Sequence, residues 1–393
     1  MQVWDIFCKV VDNYGDAGVT WRLARQLAAE HRVAPRLWID DAAALARMGV
    51  GDGAAGGSAT SAQMVQGVEI RRWAEGDVTA ADAVADVVIE AFACELPAAY
   101  VQGMAARARK PLWLNLEYLS AEEWVEGTHG LASPQARVGL SKYFFFPGFA
   151  PKTGGLLRER GLLEARDAFQ ADTVAQAALW RALGVPPREE APAGETRVSL
   201  FAYENPALEG LLAAMAEGAQ PLRLLAPEGR VLPQVAAFFG ASDARAGAQW
   251  SRGALTAHVL PFTGQPGYDR LLWACDVNFV RGEDSFVRAQ WAGRPFIWQI
   301  YPQAEAAHHE KLLAFWQRYR AGMEPQALRA MLGLWRGWNG IAPADWRADW
   351  AAVQGAQGDW AQHAVRWAQG LAAQPDLAAQ LVEFAAKAPN FGI

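Results

Sequence analysis

A short loop near the start of the chain carries two carboxylates at a spacing that suits proton transfer. In "DNYGD", Asp12 and Asp16 lie four residues apart around Gly15, between an apolar run and an amphipathic helical pattern. Two such acids repel each other, so each raises the pKa of the other unless a cation or a substrate lies between them. The pair predicts a general base with an orienting partner. The same residues are also typical of a turn in which Gly15 supplies a positive φ and an aspartate caps the helix.

A second stretch, "VRGEDS", combines a cation, two acids and a hydroxyl after a strand-like run. Its turn would direct the backbone N–H groups of the following helix toward the end of that strand, where a diphosphate could bind. Arg281 would add positive charge there, and Ser285 a hydroxyl donor. The alternative is that Asp284 or Ser285 only caps the helix and that Glu283 is solvated.

Aromatic side chains follow two other strand-like runs. In "LPFTGQPGYD", Phe262 and Tyr268 could enclose a nucleobase while Gln265 contacts its polar edge, and "LFAYEN" offers Phe201 and Tyr203. Taken one at a time, such aromatic residues are also typical of core packing.

These motifs require a scaffold that ends several strands at one edge. Five buried strand patterns alternate with helical patterns in each half of the chain, which predicts an α/β fold with two doubly wound, Rossmann-like domains and a cleft at the carboxyl ends of their strands. We expect a first domain over 1–183, a Pro-rich linker over 184–196, a second domain over 197–359, and helices of 360–393 that pack back on the first. The Gly-rich stretch 49–62 indicates a flexible excursion. Its "GDGAAG" follows a helical pattern and is not assigned to dinucleotide binding.

Composition excludes several classes of function. A net charge of −6 argues against a general grip on nucleic acid and suits a basic protein partner. The three cysteines lie in apolar contexts without metal-ligand spacing, as expected of buried thiols in a reducing compartment. With no signal-like start and no uncharged apolar run of about 18 residues, we expect a cytoplasmic protein without a membrane segment. The sequence also has no D-x-D triplet, which argues against a metal on a donor diphosphate.

The long signatures carry a family resemblance over nearly the whole chain. "DNYGDAGVTWRLARQLA", "LFAYEN" and "LPFTGQPGYDRLLWACDVNFVRGEDSFVRAQWAGRPFIWQIYPQ" resemble, in order and spacing, the EarP family of protein-arginine rhamnosyltransferases. The resemblance implies an inverting GT-B glycosyltransferase that moves L-rhamnose from dTDP-β-L-rhamnose to an arginine of translation elongation factor P. From the composition and motifs above, we expect no metal or other cofactor, and neither nucleic acid nor membrane as a partner.

The same resemblance implies roles for individual residues. Asp16 matches the general base, and Asp12 its orienting partner. The donor diphosphate would lie at the helix N-terminus after Arg281–Ser285. Donor-binding residues implied by the motifs are Asn13, Tyr14, Gly15, Phe201, Tyr203, Phe262, Gln265, Tyr268, Arg281, Glu283, Asp284, Ser285 and Tyr301. Two alternatives are a nucleotide-sugar transferase with another acceptor and a non-catalytic nucleotide-binding module.

Overall fold

The chain forms two compact α/β units. The computed structural model describes residues 1–12, 14–51, 62–73, 78, 84–302 and 307–388. The first unit comprises Met1–Arg160 and Ala372–Ile393, and the second comprises Gly161–Leu371. By this division residues 161–183 and 360–371 belong to the second unit, although the sequence predicted that both would belong to the first. Most of the Gly-rich stretch 49–62 lies outside the described residues.

The first unit is built on a mainly parallel sheet, which has eight strands in the described part of the chain. The strand order is β3-β4-β2-β1-β5-β6-β8-β7, in which β3 and β7 are antiparallel edge strands and the others pair in parallel. The strands are β1 (Val3–Cys8), β2 (Ala34–Ile39), β3 (Gln63–Val65), β4 (Val68–Arg72), β5 (Val87–Ala91), β6 (Leu112–Leu116), β7 (Ala132–Gln135) and β8 (Leu140–Phe145). The helices are α1 (Gly15–His31), α2 (Ala42–Arg47), α3 (Ala98–Ala106), α4 (Val125–Thr128) and, from the end of the chain, α14 (Leu377–Lys387).

The second unit has a six-stranded sheet in the order β11-β12-β10-β9-β13-β14, with β11 antiparallel at one edge. The strands are β9 (Thr196–Leu200), β10 (Leu222–Pro227), β11 (Gln249–Arg252), β12 (Leu255–Leu260), β13 (Val277–Arg281) and β14 (Phe296–Gln299). The helices are α5 (Leu162–Ala171), α6 (Thr173–Ala182), α7 (Leu208–Glu217), α8 (Leu232–Phe238), α9 (Gln265–Ala274), α10 (Asp284–Ala292), α11 (Ala307–Tyr319), α12 (Pro325–Trp338) and α13 (Trp346–Ala372), which ends at the unit boundary. The five strands predicted for this half are confirmed.

The segment 184–196, expected to be a linker, packs on the second unit. It contains a short 3₁₀ helix at Arg188–Glu190, and Arg188 Nη2 lies 2.8 Å from Asp276 Oδ1. Glu195 forms ion pairs with Arg197 and Arg223, and all three side chains are buried. The prolines and charged residues of 184–196 therefore belong to a segment that is held on the second unit by ion pairs, and not to a flexible connection.

Strand direction decides where the candidate residues lie within each unit. Strands β9, β13 and β14 are parallel neighbours, so the loops that follow them leave the sheet at the same edge. Strands β1, β5 and β6 are also parallel neighbours, so the loops that follow them leave the first sheet at one edge. Among the described residues, no helix is long and apolar enough to cross a bilayer.

Candidate active site

Asp16 lies in the first turn of α1 rather than in the preceding loop. Its carboxylate is turned back on that loop: Oδ2 accepts hydrogen bonds from the backbone N of Val11 at 2.8 Å and of Asp12 at 2.9 Å. The residue is 3% exposed. Two backbone donors on one oxygen fix the orientation of the carboxylate and tie the loop to the helix.

Burial sets the basicity of Asp16. Loss of hydration raises the pKa of its carboxyl above the ordinary range, and the nearby charge of Asp12 raises it further. The N–H bonds from Asp12 and Val11 and a hydrogen bond from Tyr118 act in the opposite direction, without cancelling the rise. The repulsion predicted from the spacing is therefore present but smaller than the effect of burial. A raised pKa suits a group that must accept a proton.

Asp12 lies against Gly15, and this contact explains the glycine. The backbone N of Gly15 donates to Asp12 O at 2.6 Å, and a Cβ added at Gly15 would lie 2.7 Å from Asp12 Oδ2. Gly15 is absent from the positive-φ residues of the described chain, so the interpretation that it supplies a positive φ is wrong. Tyr14 is the N-cap of α1 and its ring lies 5.7 Å from the Arg47 guanidinium. Asn13 lies outside the described residues.

In the second unit, Arg281 ends β13 with a buried guanidinium between two aromatic rings. The guanidinium carbon lies 4.6 Å from the centroid of Phe201 and 4.4 Å from that of Tyr203, and the residue is 4% exposed. Its Nη1 has no hydrogen-bond partner among the described residues. A buried cation with an unused donor is costly unless an anion completes it, so this nitrogen suits a phosphate oxygen.

Ser285 closes the turn between β13 and α10. Its Oγ accepts from Arg281 N at 3.0 Å and donates to Arg281 O. The N-cap residue of α10, Glu283, makes no side-chain hydrogen bond to the helix start. Gln265 Nε2 donates to Asp284 Oδ2 at 3.4 Å, which joins the starts of α9 and α10. The first turn of α10 is thus shaped by the serine and is not capped by Glu283.

Tyr268 and Tyr301 extend the aromatic group around Arg281. The ring of Tyr268 meets Phe201 edge-on at 5.5 Å, and its buried hydroxyl lies near Ser285 without a hydrogen bond of ordinary geometry in the described chain. Burial raises the pKa of Tyr268, so its hydroxyl stays protonated and can donate. Tyr301 is 39% exposed and meets Tyr203 edge-on at 5.5 Å.

The structure brings most of the predicted donor residues of the second unit together. Phe201, Tyr203, Tyr268, Arg281, Ser285 and Tyr301 form connected contacts, and Gln265 pairs with Asp284. Phe262 is half-buried just before α9. Tyr14 and Gly15 belong to the first unit, beside Asp12 and Asp16.

Sequence reasoning missed some residues at these edges. Arg230 follows β10, pairs with Glu204 at 2.9 Å, and lies 5.8 Å from the Tyr203 ring centroid. Gln299 Oε1 accepts from Tyr203 N at 2.8 Å and so positions that aromatic residue. Arg230 and Gln299 lie at the carboxyl ends of parallel strands, which is the signal that could have found them.

Comparison with known proteins decides the family. The family model described as "Elongation-Factor P (EF-P) rhamnosyltransferase EarP" matches residues 4–386. The chain belongs to the EarP family. It is 55% identical over 382 residues to a protein-arginine rhamnosyltransferase of Pseudomonas putida, and the match covers 97% of this chain and 98% of that protein. It is 42% identical over 394 residues to the corresponding protein of Shewanella oneidensis, with 98% of each chain covered.

A solved structure supports the same assignment. This structure is described as the structural basis for EarP-mediated arginine glycosylation of translation elongation factor EF-P. The solved protein is 40% identical to this chain, and the match covers 99% of this chain and 100% of the solved one, with a TM-score of 0.69. The chain is a protein-arginine rhamnosyltransferase with the GT-B glycosyltransferase fold. The family resemblance, the fold class and the enzyme class are thereby confirmed, and the roles of individual EarP site residues stay predictions.

Proposed function

We propose that this EarP enzyme transfers L-rhamnose from dTDP-β-L-rhamnose to an arginine side chain of translation elongation factor P, with inversion at the sugar carbon. The observation that carries the proposal is the Asp16 carboxylate, which is buried, held by two backbone N–H groups and raised in pKa. Family membership supports the acceptor, because the matching family model is described as an EF-P rhamnosyltransferase.

The acceptor is a reluctant nucleophile. An ordinary Asp near pKa ~4 and an Arg near ~13 differ by ~9 units, or about 12 kcal/mol, so full deprotonation before attack is excluded. The raised pKa of Asp16 narrows this gap without closing it. Asp16 therefore takes the proton while the bond between the guanidinium nitrogen and the sugar carbon forms. Asp12 holds the guanidinium in one orientation.

The donor must lose its sugar as dTDP. The bond from the sugar carbon to the β-phosphate oxygen breaks, and the electron pair leaves with the diphosphate. Arg281 Nη1 and the backbone N–H groups at the start of α10 stabilise this negative charge. Tyr268 donates a further hydrogen bond, and the rings of Phe201, Tyr203, Phe262 and Tyr301 pack against the nucleoside and the sugar. Glu283 and Asp284 bind hydroxyl groups or hold the loop.

Mass spectrometry tests the function directly. Incubation of the enzyme with dTDP-β-L-rhamnose and elongation factor P should add one deoxyhexose to an arginine of the acceptor. An unmodified acceptor with continued hydrolysis of the donor would indicate a different acceptor. Donor binding without any turnover would indicate a nucleotide-binding module.

The base assignment needs a matched pair of variants. Asp16→Asn keeps an oxygen that can accept both backbone N–H bonds but removes the basic carboxylate, so we expect transfer to be lost while donor affinity is unchanged. Asp41→Asn is the control, because Asp41 caps α2 in the same unit and Asn caps a helix equally well. Near-normal transfer by Asp16→Asn would show that another group is the base.

We also propose that the reaction needs no metal and takes place in the cytoplasm. Excess EDTA should leave transfer unchanged, and a complete loss that magnesium restores would refute the first proposal. The buried free thiols Cys8, Cys94 and Cys275 support a reducing compartment. The net charge of −6 suits a basic acceptor loop, so added salt should slow association more than chemistry.

A further inference from the structure

A strained turn follows β5 in the first unit. Phe92, Ala93 and Glu95 have φ values of 57°, 52° and 55°, in the left-handed region that residues other than glycine rarely adopt. Three such residues within four positions persist only where the surroundings fix the backbone, and strain of this kind concentrates at functional sites. The mechanism proposed above gives this turn no role.

A buried carboxylate holds the turn in place. Glu90, in β5 and 2% exposed, accepts from the backbone N of Glu95 at 3.2 Å. Its other oxygen accepts from Trp113 Nε1 and Lys142 Nζ, each at 3.1 Å. These bonds reach from β5 to β6 and β8, so the backbone conformation of the turn is set by three strands.

The turn places one aromatic ring on another. The backbone N of Phe92 donates to Leu116 O at 2.7 Å, which joins the ends of β5 and β6. The ring of Phe92 then stacks on that of Tyr118, with centroids 4.5 Å apart and planes inclined by 18°. Tyr118 lies two residues beyond β6, in a stretch without regular secondary structure, so the stack adds a contact that orients its ring.

Tyr118 in turn reaches Asp16. Among the influences on the Asp16 carboxyl is a hydrogen bond from the Tyr118 side chain, which lowers its pKa. Among the described residues, the backbone N–H groups of Val11 and Asp12 donate to this carboxylate and the charge of Asp12 repels it, while the charge of Asp16 in turn acts on the thiol of Cys8 at the end of β1. Burial raises the pKa of the Cys8 thiol, so it stays neutral. Tyr118 thus adds a side-chain donor to a carboxylate otherwise held by backbone.

We propose that Phe92 and Tyr118 are a positioning pair for Asp16: the strained turn fixes the Phe92 ring, the ring fixes Tyr118, and the Tyr118 hydroxyl fixes the carboxylate. The proposal rests on the proposed function only in giving Asp16 a catalytic role. The contacts themselves can be tested without turnover.

The first test follows the Asp16 carboxyl carbon by NMR during a pH titration, with the signal identified by its absence in Asp16→Asn. Tyr118→Phe removes a hydrogen bond to the charged form, so the titration midpoint should rise by about one pKa unit. Tyr143→Phe is the matched control, because it removes the same hydroxyl from β8, where the ring contacts Phe384. A midpoint in Tyr118→Phe equal to that of the control would overturn the proposal.

The second test concerns Phe92. Phe92→Ala removes the stacked ring and should raise the same midpoint and lower kcat about tenfold with the donor KM unchanged. Phe92→Tyr keeps a ring for stacking and should restore both values. Thermal unfolding of each variant identifies any that fail to fold. A folded Phe92→Ala enzyme with wild-type kcat and midpoint would refute the role of the turn.

The experiments distinguish a failure of the positioning pair from a failure of the base assignment. If Asp16→Asn remains active, the base assignment is wrong, yet the NMR titration still reports whether Tyr118 bonds to Asp16. If the titration midpoint does not respond to Tyr118→Phe while Asp16→Asn is inactive, the positioning pair is wrong and the base assignment stands.

Discussion

A single methyl group added at Gly15 should separate activity from stability. A Cβ on this residue would lie 2.7 Å from Asp12 Oδ2 and 3.2 Å from Asp12 Cγ. Both distances are too short for ordinary packing, so one group must move. The carboxylate is the end of a flexible side chain, whereas Gly15 begins α1 and is fixed by that helix. We therefore expect Gly15→Ala to displace the Asp12 carboxylate and leave the helix in place.

The two effects have different magnitudes and opposite signs. Alanine is favoured over glycine in helices by up to about 1 kcal/mol, so the free energy of unfolding should be unchanged or slightly higher. Loss of the hydrogen bond that a bound guanidinium donates to the Asp12 carboxylate costs about 1.5–3 kcal/mol. That cost corresponds to a decrease of about 10- to 150-fold in the rate of transfer.

Three measurements on a matched pair check this prediction. Transfer is followed by mass spectrometry at saturating donor, donor affinity by calorimetry, and stability by urea unfolding. Gly358→Ala is the control, because Gly358 lies within α13 with open space around the added methyl group. It should gain stability with no change in transfer or in donor affinity.

A double-mutant cycle gives the refutation. If the methyl group acts through Asp12, then Gly15→Ala should cost nothing further in an Asp12→Ala background. An equal loss in both backgrounds, or wild-type transfer by Gly15→Ala alone, would show that the position of the Asp12 carboxylate is not what the methyl group disturbs.

Three further outcomes are expected. Arg281→Lys should raise the donor KM by about 10- to 100-fold, because an ammonium cannot stack between two rings and still reach phosphate. Arg252→Lys is the control: Arg252 also stacks on a ring, and its substitution should leave the donor KM unchanged. Burial, and then the positive charge of neighbouring Arg223, lower the pKa of His258 from 6.5 to about 4. The free energy of unfolding should therefore fall as pH falls below about 6.5, and His258→Gln should flatten that slope in urea titrations. Folding raises the carboxyl pKa of Asp16 above 3.8, so Asp16→Asn should increase the free energy of unfolding at neutral pH. Calorimetry should show that this increase disappears as pH is lowered toward about 3.8.

The parallel strands were predictable from the sequence for a physical reason. Strands such as β1 and β5 are buried along nearly all their length, so they appear as predominantly apolar runs bounded by turns. The edge strand β7, "ASPQ", is polar, contains a proline and is half exposed. Its pairing with β8 depends on a neighbour already in place, and local sequence does not encode that.

The candidate site divides in the same way. The presence of Asp12 and Asp16 beside a helix start was predictable, but the helix begins at Gly15 behind an N-cap tyrosine that makes no capping bond, so the pattern gave no boundary there. The stack of Phe92 on Tyr118 joins loops after different strands. Left-handed backbone at residues other than glycine leaves no mark in the sequence, so neither feature was predictable.

The two proposed functional turns share a local device that neither motif shows when read alone. In the first unit, the Asp16 carboxylate accepts from the backbone N of Asp12, four residues earlier. In the second unit, the Ser285 hydroxyl accepts from the backbone N of Arg281, also four residues earlier. Each bond closes the turn between a parallel strand and its helix onto a side chain in the second helical position. The chemistry then differs with the closing group: a carboxylate keeps a charge that can accept a proton, whereas a neutral hydroxyl leaves Arg281 as the charge that faces an anion.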